Sequence, residues 1–144
     1  MNPILRNILG VLAGVLAGGM LNMGIILISG SIIPPPEGTD MTTTEGLKAA
    51  MHLMEAKHFI MPFLAHALGS LLGAFVAAKL VATHKMKFAI GVGIWFFLGG
   101  VSMVFMMPSP LWFTVLDLGV AYIPMAYFGG MLATNNQVKT LQLL

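Results

Sequence analysis

Four stretches of the chain, 7–36, 59–78, 88–116 and 118–138, contain no Asp, Glu, Lys or Arg. Crossing a bilayer takes about 20 residues of helix, so each stretch is long enough to span one. The last two stretches are parted by Asp117 alone, yet Pro108-Ser109-Pro110 is the better place for a turn. Two prolines break a helix where a lone carboxylate does not. The pattern therefore predicts spans at about 6–30, 59–82, 88–107 and 111–133, with boundary errors of ~2–4 residues.

Between the first two spans lies the only long polar connection, residues 34–58. Pro34-Pro35-Pro36 ends the first helix, and Thr42, three residues before Glu45, offers a capping box for the second. Leu47, Met51, Met54, His58, Met61, Ala65, Leu68 and Leu72 then recur at steps of three and four, the spacing of one helical face. This periodicity predicts a second helix that starts near Thr43, projects beyond the bilayer and kinks near Pro62. The expected fold is all-α: a single integral membrane four-helix bundle with its second helix extended on the outer side.

Composition agrees with the pattern. Of 144 residues, 58% are hydrophobic and 8% charged, and the mean hydropathy is +0.92, outside the range of a soluble domain. Seven basic residues give a net charge of +2. They form no stripe that would bind nucleic acid, and their placement reads as topology. Arg6, Lys79, Lys85, Lys87 and Lys139 flank one side of the spans, and Lys48 and Lys57 the other. The positive-inside rule then places both termini and the His84–Lys87 turn in the cytoplasm. The apolar run after Arg6 is too long for a signal-peptide core, so it reads as an uncleaved first span. There is no cysteine, which removes disulfide and thiolate chemistry.

Small residues mark where helices can meet. Gly10, Gly14 and Gly18 lie four apart in the first span, as do Ala65, Gly69, Gly73 and Ala77 in the second. Such faces let backbones approach closely, against a helix of the same chain or of another protomer. Several segments are distinctive: Ile32-Ile33-Pro34-Pro35-Pro36-Glu37-Gly38, Met51 to Phe59 with His66-Ala67-Leu68-Gly69, Pro108 to Phe113, and Ala121-Tyr122-Ile123-Pro124-Met125. In these the chain resembles a group of small bacterial four-helix inner-membrane proteins over nearly its whole length. The resemblance implies a multi-pass protein of the bacterial inner membrane; it carries no activity and no site residue with it.

Asp117 is the one acidic residue within the apolar runs. A carboxylate at membrane depth costs at least about 3 kcal/mol unless it is paired, hydrated or protonated. Asn22, His66, Ser102 and Asp117, one from each span, lie about five to eight residues from the outer ends, or ~8–12 Å at the helical rise. Facing inward, they would form one polar layer in which Asp117 accepts from His66 and the other two satisfy what remains. The structural reading of this layer is interhelical hydrogen bonding that fixes register. The functional reading is a proton- or cation-handling pair, since intramembrane Asp and His are the usual parts of relays and ion pathways.

Metal chemistry is the next candidate, because the chain has 13 methionines and four histidines. Met51, Met54, His58 and Met61 share one predicted helical face, and thioether with imidazole suits Cu(I). Against that, the stripe continues into Leu68 and Leu72, and methionine at helical spacing is commonly packing material. His52, Glu55 and His58 include a Glu-x-x-His pair, but no second pair or further carboxylates exist for a di-iron site. His52 and His58 are also about 120° apart on a helix, which disfavours one shared zinc ion. No cofactor is otherwise indicated, and no Gly-x-Ser-x-Gly elbow occurs. Association leads the functional expectations: an accessory subunit or homo-oligomer among membrane lipids, without catalysis of its own. Behind it stand the Asp117–His66 proton or cation path and an outer-side copper site.

Overall fold

In the computed structural model, Asn2 opens helix α1 (Pro3–Ile32) by accepting from the Ile4 N–H at 2.9 Å, with Pro3 in the first turn. A proline there lacks only a donor that the helix would leave unpaired anyway. The structure describes residues 1–107 and 109–141, with side chains to 135. Pro108 of the expected turn and the side chain of Lys139 thus lie outside the described residues.

Helix α2 (Thr44–Ala50) follows the proline segment, then two 3₁₀ turns (Met51–Leu53 and Ala56–Phe59) lead into α3 (Ile60–Leu80). Helices α4 (Lys85–Met106) and α5 (Leu111–Leu116), a π turn (Asp117–Ala121) and α6 (Ile123–Leu141) complete the chain. Four helical stretches are long and apolar enough to cross a membrane: Pro3–Ile32, Ala56–Leu80, Lys85–Met106 and Leu111–Asn135. Their ends fall within three residues of the expected limits, because the charge-free runs set them.

The second helix is not continuous, contrary to the periodicity. Met54 and Glu55 are extended (ψ 129° and 166°) and split it. His58 explains the break: its Nδ1 accepts from the Glu55 N–H at 2.9 Å, which takes that donor away from a helical partner. Helix α2 is capped one residue later than expected, by Thr43, whose hydroxyl accepts from the Gly46 N–H at 3.1 Å. Asp40 supports that entry by accepting from Thr42 N at 2.8 Å and from the Thr42 and Thr43 hydroxyls. These bonds stabilise its charged form and hold its pKa below the usual carboxylate value. Pro62 falls in the first turn of α3, which begins at Ile60, where the missing N–H is one that the helix would leave unpaired.

Helix α3 is the hub, touching α1, α4 and α6, while α1 and α4 barely meet. Its small residues allow this on every side. The two glycine faces expected from the sequence lie against each other: a Cβ on Gly14 would stand 2.5 Å from the Gly73 carbonyl oxygen, and one on Gly18 2.5 Å from that of Gly69. They bind helices of the same chain. On another side Ala74 and Ala78 meet Ala89, Ala126 and Ala133, all fully buried.

One end of the α1–α3 contact is clasped by polar bonds. Arg6 Nε donates to the Leu80 carbonyl at 2.8 Å, neutralising the negative end of α3. Asn7 accepts from the Ala82 N–H at 2.7 Å and donates to the Thr83 hydroxyl at 3.1 Å. His84, in the left-handed region (φ 47°), then turns the chain into α4.

Candidate functional site

Asp117 stands at the junction of α5 and the π turn and is buried, 5% exposed. Pro124 accounts for that turn. It has no N–H to give the Val120 carbonyl, and its ring crowds that carbonyl, so the preceding turn widens. An α-helix would set residues 117 and 122 about 140° apart, whereas the wider turn brings positions five apart onto one side. The Tyr122 hydroxyl therefore donates to Asp117 Oδ2 at 3.0 Å.

The other partner comes from α3. His66 Nδ1 lies 2.8 Å from Asp117 Oδ1 and 2.9 Å from Oδ2. The carboxylate accepts from Nδ1–H and so selects the tautomer whose lone pair is on Nε2. Nε2 makes no hydrogen bond among the described residues. The imidazole also stacks on Tyr122, with ring centroids 5.5 Å apart and planes 28° apart. Phe97 meets Tyr122 in a T-shaped contact, ring centroids 6.2 Å apart. Gly100 makes room for the phenol: a Cβ there would lie 2.5 Å from its oxygen.

His66 and Tyr122 form part of the wall of a cavity of about 320 Å³ between α1, α3 and α4, lined also by Asn22, Gly69, Ser70, Phe96, Gly99, Gly100 and Met103. Asn22 thus shares a cavity with His66, but it does not reach Asp117. Its Oδ1 is buried without a partner. Ser102 is not in the layer: it is exposed, and its hydroxyl donates to the Leu98 carbonyl one turn back at 2.9 Å. Equal depth did not fix rotation about the helix axis, and a serine satisfied by its own helix needs no partner.

Tyr122 and Ser70 have no place in the expected layer. Ser70 is 1% exposed with an unpartnered hydroxyl. Its signal is present in the sequence, since it lies one helical turn after His66. The signal for Tyr122 is Pro124 inside an otherwise unbroken run. Pro124→Ala is accordingly expected to let the α-helix continue and carry Tyr122 away from Asp117. A double-mutant cycle on thermal stability checks this: Tyr122→Phe should cost about 1 kcal/mol alone and nothing measurable beside Pro124→Ala.

The copper reading rested on one continuous helical face, and that face does not form. Met51 and His58 sit in separate 3₁₀ turns, Met54 in the extended break and Met61 in α3. His58 Nδ1 already accepts from Glu55 N–H, and its Nε2 stands 3.2 Å from the Pro34 carbonyl, which ties the proline segment down. Glu55 pairs with Lys57 at 3.1 Å on the surface. Among the described residues, no three of His, Asp and Glu converge to hold a metal ion.

The His66–Asp117–Tyr122 constellation is therefore the best-built chemical site among the described residues, one imidazole nitrogen held and the other open to a cavity. Comparison with protein-family models, with curated proteins and with solved structures found no match to this chain.

Proposed function

We propose that this chain is a multi-pass protein of the bacterial inner membrane, with both termini cytoplasmic, that exchanges protons at membrane depth through His66 and Asp117. One observation carries the reading: Nδ1 of His66 is fixed within 2.9 Å of both Asp117 oxygens while its Nε2 has no hydrogen-bond partner among the described residues and the residue borders a cavity. A proton arriving from the cavity binds Nε2 as Nδ1 passes its own proton to Asp117, and release of that proton from the carboxyl, with return of the imidazole to its first tautomer, completes the exchange. Tyr122 holds the second oxygen and keeps the carboxylate in plane for His66. Both oxygens are thus engaged, which favours a proton over a metal cation as the species handled.

The test is proton movement in proteoliposomes carrying a trapped pH dye, driven by a potassium diffusion potential. The wild-type chain is expected to acidify or alkalinise the lumen faster than empty liposomes do. His66→Gln is expected to slow it about a hundredfold, the usual scale of a lost proton-transfer group. Wild-type flux no faster than empty liposomes, or undiminished flux in His66→Gln, refutes the reading.

A second reading, association as an accessory subunit or homo-oligomer, draws on α1. Leu9, Leu12, Leu16, Met20, Met23 and Leu27 leave a long apolar face of this helix exposed. The glycine stripe is already used against α3, so the surface left for a partner is this leucine and methionine face. A stoichiometric second chain in native mass spectrometry of gently extracted protein would support it.

A further inference from the structure

Both ring nitrogens of His58 are engaged, and they hold two different stretches of chain. Nδ1 accepts from the Glu55 N–H at 2.9 Å, and Nε2, which must then carry the hydrogen, donates to the Pro34 carbonyl at 3.2 Å. The first bond closes a capping box at the start of the Ala56–Phe59 turn. That place in a capping box usually belongs to Glu or Gln, whose oxygens accept throughout the neutral range. An imidazole nitrogen accepts there only while the ring is neutral, and histidine is the side chain that ordinarily changes charge between pH 5 and 8.

Protonation therefore acts on one bond of the two. Nε2–H stays a donor, but a hydrogen on Nδ1 points at that of the Glu55 N–H, and the cap is lost. The nearest acceptor for the new hydrogen, the Glu55 carbonyl, is 3.3 Å away and already takes the His58 N–H at 3.0 Å. The charges around the ring do not replace the cap. Glu55 is paired with Lys57 at 3.1 Å on the same turn, and the Met51–Leu53 turn carries His52. The proline segment offers its Pro34 carbonyl, with Glu37 three residues on. Neither α3 before His66 nor α5, which packs on Phe59 through Trp112 and Phe113, has a titratable side chain. The extended break at Met54–Glu55 rests on the captured Glu55 donor, so the seat of α2 beyond it rests on the same bond. We infer that His58 is an acid-released latch: neutral, it fastens α2 and the proline segment to the start of α3, and protonated, it lets α2 lift away. The fastened form is favoured above the histidine range and weakens as pH falls through it. The latch does not need the proton exchange proposed at His66.

The test is the rate at which a methanethiosulfonate labels Ala50→Cys in the full chain in nanodiscs. Ala50 is the buried residue of α2, 2% exposed, and the sequence has no cysteine of its own, so labelling reports how often α2 leaves its seat. Each rate is divided by that of the same chain carrying His58→Gln, measured at the same pH. Glutamine keeps an acceptor for the Glu55 N–H and a donor for Pro34 but does not titrate, so reagent chemistry and the other ionisable groups cancel in the ratio. The ratio is expected to rise about fivefold from pH 8 to pH 5, the scale of a lost cap. His58→Leu, which cannot cap at any pH, should label faster than His58→Gln at both. A ratio that is the same at pH 8 and pH 5 overturns the latch, as does a His58→Leu chain that labels no faster than His58→Gln. Leu47→Cys, half-buried on the same helix, gives the same reading if a cysteine at position 50 is not tolerated.

Discussion

Asp117→Asn is expected to leave the four helices assembled and to stop the proposed proton exchange. The amide has nearly the shape of the carboxylate, so its oxygen can still accept from His66 Nδ1–H, 2.8 Å away in the wild type. Its NH₂ then faces the Tyr122 hydroxyl, which must turn from donor to acceptor. What is lost is the oxygen that can take the proton leaving His66 Nδ1, since an amide does not hold one. The loss of stability should be modest, about 1 kcal/mol, as a charge-assisted bond becomes a neutral one. Asp117→Leu is harsher, because His66 Nδ1 and the Tyr122 hydroxyl both lose their acceptor. Each unsatisfied group costs about 1–3 kcal/mol, so unfolding by heat in detergent should come many degrees earlier. Thermal midpoints and dye-reported flux, measured on both variants, separate the roles. Loss of folding in Asp117→Asn as well as in Asp117→Leu would show that the carboxylate serves the bundle and not a proton.

Gly14→Leu is expected to detach α1. A Cβ at that position would sit 2.5 Å from the Gly73 carbonyl oxygen and 2.8 Å from the Ala77 Cβ, and neither can swing aside as a long side chain would. Overpacking a fitted contact costs about 1–3 kcal/mol, and here α1 has besides it only the Arg6 and Asn7 bonds at its end, since it meets α4 only marginally. Gly19→Leu is the matched control, because a Cβ there meets nothing within 4 Å. The sequence has no cysteine, so an Asn7→Cys/Thr83→Cys pair, which also removes the Asn7 bonds to Ala82 and Thr83, reports whether the glycine contact holds α1 in place. Cross-linking should be efficient with Gly19→Leu and largely lost with Gly14→Leu. Retained cross-linking in Gly14→Leu would mean that the backbones part without cost.

The four long apolar helices were legible in the sequence because one quantity decides them, a run of about 20 residues free of charge, enough to cross a membrane. The His66–Asp117 contact was legible for a related reason, since a buried carboxylate needs a partner at its own depth and few groups are available there. Three features resisted. Ser102 shares the depth but turns outward, because depth along a helix says nothing of angle around it. The break at Met54–Glu55 hides behind an apolar rhythm that continues unbroken through it; a side-chain nitrogen, that of His58, captures the backbone donor. Tyr122 escaped because the periodicity used to read helices assumes 3.6 residues per turn, and Pro124 locally replaces that spacing by a wider one.

The dependence of α1 on α3 alone bears on how the molecule is made. Helix α1 is synthesised before its one substantial partner among the described residues, α3, which begins at Ile60 and leaves the ribosome later than the whole of α1 and the proline segment. On the proposed insertion into a bilayer, α1 waits there as a solitary span until α3 arrives, and only then do the helices join, in the two stages usual for such bundles. A helix that must be stable alone can carry little that lipid would reject. That fits a helix apolar over most of its circumference, with glycines along the face it later docks and Asn22 the one amide at depth there, and with the strongly polar fastening by Arg6 and Asn7 kept at its very end, where water is still within reach.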